Sequence, residues 1–351
     1  MSQDPIRVVL VGCGGMADTW VTVALDTEGL ELVGLVDLDR SQAEKMADKH
    51  VLSREVVFDS LAEAVRSTRA DAVFDVTVPK AHPIVTLEAL DLGCHVLGEK
   101  PMAEDIESAR KMVSKAAEVD RVYAVLQNYR TRDRLRGLAD FTTGGALGEL
   151  AEAHCEFYIG AHFGGFRDEM AHPLLGDMSI HHFDMARCVT GLSPTAVTCQ
   201  TWKPKQSWYA GDVSAFAMFE MTGGLMFTYR GSWCSEGRHT TWNGDWRVIG
   251  QKGSVTWRDD APPIAEVIKP DAEPAFITEK DTIEVPDAPG ETSGHAYLIP
   301  EFVAYLRNGR TGPLSCPCDD NIKSLAMVLG AIRSADEGRQ VEMAELLGDL
   351  A

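Results

Sequence analysis

Positive charge is scarce in this 351-residue sequence, which has 33 lysine and arginine residues against 53 aspartate and glutamate residues. The formal net charge is therefore −20 at pH 7. A surface this acidic repels nucleic-acid phosphates and anionic lipid headgroups, so neither a nucleic acid nor a membrane is expected as a partner. The sequence also lacks an apolar run near the length of about 20 residues that a membrane-spanning helix needs.

Paired cysteines are also lacking. The eight cysteines are scattered along the chain and form no C-x-x-C pair. Cys316 and Cys318 are the closest two, and they have no partners at zinc-ligand spacing, so no metal site is predicted. Unpaired thiols are typical of a reducing compartment. Because the N-terminus runs into a strand without a charged n-region or a cleavage site, a cytoplasmic location is predicted.

The length and the pattern of the first 127 residues favour two domains, the first an α/β domain. The chain is long for one hydrophobic core. Short apolar runs alternate with helical patterns, which predicts a doubly wound parallel sheet, the Rossmann arrangement. The predicted strands are Ile6–Val11, Leu30–Val36, Ala72–Val76, His95–Leu97 and Tyr123–Gln127, with helices near 16–26, 41–50, 60–67, 81–92 and 104–118.

From residue 128 to residue 351 the pattern changes, and a second α/β domain with a large, open, mainly antiparallel sheet is predicted. Alternating apolar and polar residues indicate strands with one covered face. These strands are Ala151–Ile159, Ala196–Trp202, Val213–Met221, Leu225–Trp233 and Trp246–Ile249, with helices near 131–143, 174–190, 296–307 and 319–336. Residues 258–295 are rich in proline, aspartate and glutamate and are predicted to be loops.

A glycine-rich turn directly after the first predicted strand indicates a dinucleotide site. Gly12-Cys13-Gly14-Gly15-Met16-Ala17 fits the pattern G-x-G-x-x-G/A. The first glycine allows the tight turn, the second lets the backbone approach a pyrophosphate, and Ala17 permits close packing of helix and strand. The pyrophosphate would lie at a helix N-terminus, where free N–H groups favour negative charge.

Asp37 strengthens this prediction because it ends the second strand, twenty residues past Ala17. A carboxylate there accepts hydrogen bonds from ribose hydroxyls and repels a 2′-phosphate, so NAD is predicted over NADP. Arg40 lies close enough in the sequence to accept a phosphate instead, although a solvated position at the start of a helix is its favoured interpretation.

Three residues form the candidate catalytic group. Lys100 follows an apolar strand, at the edge where doubly wound folds bind ligands. Asp177 and His181 lie four residues apart in a predicted helix, so they share one face. An ammonium, an imidazole and a carboxylate suffice for reversible proton transfer at a substrate hydroxyl. His182 is offset by about 100° and should lie outside this group, and Asp184 is predicted to stabilise helix packing or to orient His181.

These motifs resemble those of the glucose–fructose oxidoreductase/inositol dehydrogenase (Gfo/Idh/MocA) family. The resemblance covers almost the whole chain and rests on the glycine-rich turn, Thr77-Val78-Pro79 with His82, Glu99-Lys100-Pro101 and the Asp177-x-x-x-His181 helix. It implies that Thr77, Val78, Pro79, His82, Glu99 and Lys100 help to bind the cofactor. It also implies that Lys100 is the catalytic lysine, with His181 and Asp177 completing the site, and that the C-terminal sheet forms homodimers or homotetramers.

The substrates that this resemblance implies are sugars, inositols and their derivatives. Arg130, Arg167 and His172 lie in segments expected to line the cleft and are candidate substrate ligands beside Lys100, Asp177 and His181. The main hypothesis is an NAD-dependent dehydrogenase of a sugar or cyclic polyol. Two alternatives remain open, namely an NAD-retaining hydrolase that cleaves glycosides through transient oxidation, and a non-catalytic nicotinamide or sugar sensor.

Overall fold

The computed structural model describes residues 4–273, 275–290 and 292–350, and these residues form two compact units. The first unit contains residues 4–131 together with Thr292–Ile322, and the second contains residues 132–290 and 323–350. The sequence pattern places everything beyond residue 127 in one second domain. In the structure, by contrast, the chain returns to the first unit for about thirty residues.

Most helices begin and end close to their predicted positions, two short ones (Phe166–Glu169 and Ala344–Leu347) were not predicted, and several helices have a side-chain cap. In chain order they are α1 (Ala17–Asp26), α2 (Arg40–Lys49), α3 (Leu61–Thr68), α4 (His82–Asp91), α5 (Ile106–Glu118), α6 (Asp133–Thr143), α7 (Phe166–Glu169), α8 (Ser179–Thr190), α9 (His295–Arg307), α10 (Cys318–Glu337) and α11 (Ala344–Leu347). Asp39, Ser60 and Asp105 accept hydrogen bonds from main-chain N–H groups of the first turns of α2, α3 and α5. Such caps satisfy N–H groups that the helix itself leaves free.

In the described part of the first unit, the sheet is parallel and has six strands. They are β1 (Ile6–Val11), β2 (Leu30–Val36), β3 (Val57–Phe58), β4 (Ala72–Asp75), β5 (His95–Gly98) and β6 (Tyr123–Val125). Their spatial order is β3-β2-β1-β4-β5-β6. The order reverses between β1 and β4, and such switch points bind ligands at the carboxyl ends of the strands. The predicted doubly wound sheet is therefore confirmed.

The core of this unit includes α9. Trp20 of α1 packs edge-on against Phe74 of β4, with ring centroids 5.0 Å apart, and Phe74 contacts Phe302 of α9 at 6.4 Å. All three side chains are fully buried. Burying one large apolar side chain stabilises a fold by about 1.5–3 kcal/mol, so α9 is part of what holds the first unit together.

The second unit contains a nine-stranded mixed sheet within its described residues. Its strands are β7 (Leu150–Tyr158), β8 (Pro194–Trp202), β9 (Ser214–Met221), β10 (Met226–Ser232), β11 (Asp245–Gly250), β12 (Gly253–Trp257), β13 (Ile264–Ile268), β14 (Lys280–Glu284) and β15 (Val341–Glu342). The order is β14-β13-β12-β11-β7-β10-β9-β8-β15, and every pair is antiparallel except β7 with β10. The mainly antiparallel sheet is confirmed.

Helix α8 packs its aromatic side chains onto this sheet. Phe183 lies 4.8 Å from Phe219 of β9 and 5.2 Å from Tyr229 of β10, measured between ring centroids. The helix ends before Gly191, whose φ of +68° lies in the left-handed region that glycine adopts readily after a helix. The helix is buried on nearly all sides, so its polar residues have protein partners rather than water.

The prediction of loops throughout residues 258–295 is wrong at two places. Ile264–Ile268 and Lys280–Glu284 form β13 and β14 at one edge of the sheet. All five residues of β14 are exposed. An edge strand with both faces in water has no need of alternating apolar residues, so the periodicity that reveals the other strands is missing here.

No helix among the described residues is long and apolar enough to cross a membrane. The eight cysteines are all free thiols, and only Cys188 is more than slightly exposed.

Candidate active site

The glycine-rich turn leaves β1 at the switch point of the first sheet. Gly12 has a φ of +94°, and a Cβ atom placed on it would lie 2.7 Å from the carbonyl of Val76 and 2.8 Å from the nitrogen of Thr77. Only glycine fits there. A Cβ atom on Gly14 or Gly15 would meet nothing within 4 Å, so the turn is open on the side where a pyrophosphate would approach.

The residues that complete the turn have distinct surroundings. Met16 is half exposed, whereas Ala17 is fully buried and begins α1. The Ala17 N–H donates to the Gly14 carbonyl at 3.1 Å. Burial, with a smaller contribution from the charge of Asp37, raises the pKa of the Cys13 thiol to about 12. Cys13 therefore contributes its main-chain N–H to the site, not a thiolate.

Asp37 lies just past the end of β2 and is held in place by the main chain. One carboxylate oxygen accepts from the Cys13 N–H at 2.7 Å, and the other accepts from the Asp39 N–H at 2.9 Å. A carboxylate oxygen has two lone pairs, so each retains capacity for a ribose hydroxyl.

Arg40 is engaged with carboxylates. Its guanidinium donates to Glu44 at 3.1 Å, to Asp59, and to the Val57 carbonyl at 3.4 Å. The hydrogen bonds that Arg40 donates to Asp59 and Glu44 raise its pKa above the ordinary value. The two acidic partners already balance its charge, which disfavours an additional role as a phosphate ligand.

His82, at the start of α4, connects two segments of the site. Its Nε2 atom lies 3.0 Å from the Thr77 carbonyl oxygen, and its Nδ1 atom lies 2.9 Å from the Pro101 carbonyl oxygen. Both ring nitrogens therefore face main-chain carbonyl acceptors. The ring is 2% exposed, and through these two contacts it joins the Thr77 and Pro101 segments of the main chain. The neighbouring Val78 is exposed and Pro79 is half-buried.

The buried carboxylate of Asp75 interacts with the charge of this histidine. Asp75 ends β4 and accepts hydrogen bonds from the main-chain N–H and the hydroxyl of Thr77 and from the hydroxyl of Thr86. Burial raises the pKa of Asp75, and the positive charge of His82 opposes that effect. The pair therefore places a fixed polar cluster at the carboxyl end of β4.

Glu99 fixes the start of the Glu99-Lys100-Pro101 segment. Its Oε1 atom accepts from the Trp20 indole at 2.8 Å and from His295 Nε2 at 3.2 Å, and its Oε2 atom accepts from the Lys100 N–H at 3.1 Å. Burial acts to raise the pKa of Glu99, but the hydrogen bonds from His295 and Trp20 outweigh it and hold the pKa below its ordinary value. Glu99 is thus an ionised anchor, and Lys100 follows it, half-buried, beyond the end of β5.

Trp20 and His295 are site residues that the sequence reasoning missed. Trp20 lies inside the predicted first helix, and His295 lies almost 200 positions from Glu99. The only local signal for His295 is that it follows Gly294 and opens α9. That signal does not point to a partner in the first sheet.

The second unit carries Asp177 and His181, and here the local structure departs from a continuous helix over 174–190. Leu174–Met178 forms one π-helical turn that includes Asp177, and α8 begins at Ser179. Turns of this kind are rare and occur often at functional sites. The Asp177 carboxylate accepts from Arg167 Nε at 2.5 Å, and His181, in the first turn of α8, is 6% exposed.

The other two candidate substrate ligands have structural partners. Arg130 donates to the Ser315 carbonyl at 2.6 Å and to Asp320 at 2.8 Å, all within the first unit. His172 Nε2 lies 3.0 Å from a carboxylate oxygen of Asp336 on α10, within the second unit. Of the three candidates, only Arg167 contacts a candidate catalytic residue in these bonds.

His182 is a core residue. It is fully buried, its Nε2 atom donates to the Trp242 carbonyl at 3.2 Å, and its ring lies 4.7 Å from that of Phe157. Burial lowers its pKa to about 3, so the ring is neutral.

Asp184 is part of the packing between helices. It accepts from the hydroxyl of Ser324 on α10 at 2.7 Å, and the same hydroxyl accepts from Arg187 at 2.9 Å. In the described ranges, no group of three or more histidine, cysteine, aspartate and glutamate side chains could hold a metal ion.

Two family models match the chain, one for each unit's main segment. A model described as an oxidoreductase family with an NAD-binding Rossmann fold matches residues 6–127. A model of the GFO/IDH/MocA C-terminal domain matches residues 135–256.

Individual proteins give the same result. The chain is 29% identical to 1,5-anhydro-D-fructose reductase of Ensifer adhaerens over 95% of this chain and 97% of that protein. It is 31% identical to D-glucoside 3-dehydrogenase of Escherichia coli (strain K12) over 54% and 56%. The crystal structure of an inositol dehydrogenase homologue from Azotobacter vinelandii with NADH and myo-inositol has a TM-score of 0.79, 20% identity and coverage of 97% and 98%. Since the two family models together cover well over half of the residues, the protein belongs to the GFO/IDH/MocA family of oxidoreductases with an NAD-binding Rossmann fold.

Proposed function

We propose that the protein transfers a hydride between a secondary hydroxyl of a sugar or cyclic polyol and NAD. The observation that carries the proposal is that two buried side chains hold the main chain at Lys100 and at the following residue, Pro101. Glu99 accepts from the Lys100 N–H, and His82 contacts the carbonyl of Pro101. This lysine is therefore held at the carboxyl edge of the same sheet that carries the glycine-rich turn and Asp37.

The cofactor is NAD, and the residues present fit it. Gly12 tolerates no side chain, while Gly14 and Gly15 leave open space for a pyrophosphate. Asp37 has carboxylate oxygens fixed by two main-chain N–H groups, which suits two ribose hydroxyls and disfavours the 2′-phosphate of NADP. When bound, NAD supplies the hydride acceptor.

We assign the proton chemistry to three side chains. Lys100 exchanges the proton of the reacting hydroxyl, and His181 hydrogen-bonds the same oxygen. Asp177 orients the imidazole of His181. Arg167 in turn fixes the Asp177 carboxylate through the 2.5 Å hydrogen bond, so Arg167 is the best supported of the substrate ligands proposed here, ahead of Arg130 and His172.

The substrate class is proposed from the relatives. One relative is a 1,5-anhydro-D-fructose reductase and another is a D-glucoside 3-dehydrogenase. A structural neighbour was crystallised with NADH and myo-inositol. The deciding experiment incubates the protein with NAD and a panel of sugars, inositols and aryl glycosides, and follows NADH and released aglycone separately. Net NADH supports the proposal. Aglycone without net NADH replaces it with a redox-neutral glycosidase, and ligand binding without either product replaces it with a sensor.

We also propose that the protein is a homodimer or homotetramer through the sheet of the second unit. Trp202 on β8 and Phe216 and Met218 on β9 are exposed on one face of that sheet. Apolar side chains on neighbouring strands form a contiguous patch that is unfavourable in water, and such patches mark association surfaces.

A further inference from the structure

In the second unit, two exposed aromatic rings contact the arginine that bonds to Asp177, and a third exposed ring lies beside one of them. Phe163 is 44% exposed, Phe166 is 67% exposed and Trp242 is 43% exposed. Phe163 lies 6.3 Å from Trp242 and 5.0 Å from the buried Trp233, measured between ring centroids. We call Phe163, Phe166 and Trp242 the aromatic cluster. A group of exposed aromatic side chains, unlike a single one, often marks a binding surface.

Arg167 connects the aromatic cluster to the candidate catalytic carboxylate. Its guanidinium carbon lies 4.7 Å from the ring centroid of Phe166 and 5.1 Å from that of Phe163. The same guanidinium donates to Asp177 at 2.5 Å. One arginine therefore contacts two rings and the carboxylate at once, through cation–π contacts and a charge-assisted hydrogen bond.

The local sequence explains how both rings reach one guanidinium. Gly164 and Gly165 separate Phe163 from Phe166, and their φ angles are +69° and +68°. Positive φ angles at two consecutive residues are adopted without strain only by glycine. A Cβ atom on either glycine would meet nothing within 4 Å, so the loop has open space around it.

We propose that the aromatic cluster binds a second ring of the substrate, so that the preferred substrates are ring-bearing glycosides rather than free monosaccharides or inositols. This inference rests on the proposed dehydrogenase function. The Arg167 guanidinium contacts both the Asp177 carboxylate and the Phe166 ring, so we expect this side chain to separate a sugar bound at Asp177 from a ring stacked on Phe166. A ring that stacks on Phe166 therefore belongs to another part of the ligand.

The chemistry of the cluster selects a ring with an apolar face. Aromatic side chains stack on aryl groups and on the C–H faces of pyranose rings, and neither contact needs a charge on the ligand. An aryl aglycone and a second sugar unit share this chemistry. The two sources are distinguished by testing phenyl glycosides and disaccharides in parallel.

The experiment measures kcat/KM for NADH formation with glucose, galactose and xylose as free sugars, methyl glycosides and phenyl glycosides, together with glucose disaccharides and myo-inositol. For at least one sugar, we expect the phenyl glycoside to exceed the methyl glycoside by about tenfold, the order of one aromatic stacking contact. Phe166→Ala should bring that ratio to about one, and Phe166→Tyr should largely preserve it. If the aryl aglycone is the natural ring, disaccharides will gain less than phenyl glycosides.

Phe276→Ala is the matched control. Phe276 is fully exposed between β13 and β14. This loop lies at the end of the sheet where β7 begins, because the Ile268 N–H donates to the Lys252 carbonyl and the Lys252 N–H donates to the Leu147 carbonyl. Phe163 and Phe166 follow Tyr158, where β7 ends. Trp242 lies just before β11, whose first residue, Asp245, pairs with Glu156 near the same end of β7. The control variant should therefore keep the wild-type ratio.

Calorimetric binding of the same phenyl and methyl glycosides to the NAD-loaded protein tests the inference separately from turnover. If no compound reduces NAD, the dehydrogenase proposal fails, while tighter binding of a phenyl glycoside that depends on Phe166 still supports the aromatic cluster. Equal kcat/KM and equal affinity for phenyl and methyl glycosides would overturn the inference alone. A Phe166→Ala variant that changes only the oligomeric mass would overturn it too, because the cluster would then be a protein contact.

Discussion

The carboxylate of Asp37 accepts a hydrogen bond from the main-chain N–H of Cys13 at 2.7 Å. The residue proposed to distinguish NAD from NADP is thus also a support of the glycine-rich turn. A substitution at position 37 changes two properties together, namely the charge that faces the ribose and the order of the turn.

We predict that NAD supports turnover better than NADP, and that Asp37→Ser narrows the difference because it removes the charge that repels a 2′-phosphate. The variant should also lose efficiency with NAD, since one shorter serine hydroxyl cannot replace the two carboxylate oxygens that accept from the Cys13 and Asp39 N–H groups. Asp37→Asn, which keeps an oxygen acceptor without the charge, should lose less with NAD. Steady-state kcat/KM with both cofactors is the measurement, and equal values in the unmutated protein would contradict the prediction.

Lys100→Ala should leave NAD affinity largely intact and slow hydride transfer by about a hundred- to ten-thousand-fold, the usual cost of losing acid–base help. His181→Ala should fall in the same range. Because both groups are proposed to act on one oxygen, the double variant should lose much less than the product of the single losses. Single-turnover kinetics at saturating NAD tests this, with Lys111→Ala as an exposed lysine control on α5. Near-normal hydride transfer in Lys100→Ala would remove this lysine from the site.

Asp177→Asn should keep the fold and transfer hydride more slowly than the wild type but faster than His181→Ala. The amide oxygen still accepts from Arg167, but the amide holds the imidazole less well than the carboxylate does. Arg167→Lys should also lose activity, since an ammonium does not reproduce the planar guanidinium that contacts two rings and a carboxylate. The same single-turnover assay measures both variants. An Asp177→Asn variant as active as the wild type would exclude the orienting role.

His82→Phe should lower kcat, because the ring would no longer hold the Thr77 and Pro101 carbonyls and Lys100 would be misplaced. A displacement of about 1 Å can cost about a hundredfold in rate. His82→Asn retains one donor and should lose less. Separate values of kcat and KM for NAD provide the test, since a cofactor ligand would change KM whereas a positioning residue mainly changes kcat. Wild-type kcat in both variants would refute the positioning role.

The buried His182 predicts a pH dependence of stability. Burial lowers its pKa to about 3 in the folded protein, from 6.5, so the unfolded chain binds more protons between these values. The free energy of unfolding should therefore fall as the pH drops below about 6.5, with a contribution of at most about 1.4 kcal/mol per pH unit from this residue. His182→Gln should show a shallower fall in urea unfolding between pH 7 and pH 5. Burial also lowers the pKa of His95 in the first unit to about 4. His95 therefore lowers the free energy of unfolding at acidic pH in the same direction, but equally in the wild type and in the variant. Identical slopes in both proteins would contradict this assignment.

The protein should be a dimer or tetramer at micromolar concentration. Phe216→Glu should lower the molecular mass of the oligomer in solution, because it places a charge in the exposed patch with Trp202 and Met218. Light scattering measures both. The control is Phe276→Ala, which removes an exposed ring from the opposite edge region of the sheet, beyond β13. A monomeric mass for the wild type would end the proposal.

Local sequence was sufficient where a residue's position depends on its neighbours in the chain. The glycine-rich turn after β1 and Asp37 at the end of β2 are both local features. The π-helical turn at Asp177 was not predicted because its apolar spacing resembles that of an ordinary helix. The contact of Glu99 with Trp20 and His295, and the strands β13 and β14, depend on tertiary structure that periodicity does not encode.

The return of Thr292–Ile322 to the first unit has a consequence for biosynthesis. Strands β1 to β6 leave the ribosome first, but Phe302 and its neighbours on α9, which cover Trp20 and Phe74, are translated only after the large sheet of the second unit. Many multidomain chains fold their N-terminal domain while the rest is still being made. Here part of the apolar core of the nascent nucleotide-binding unit stays uncovered until the strands β7 to β14 and then α9 have been translated.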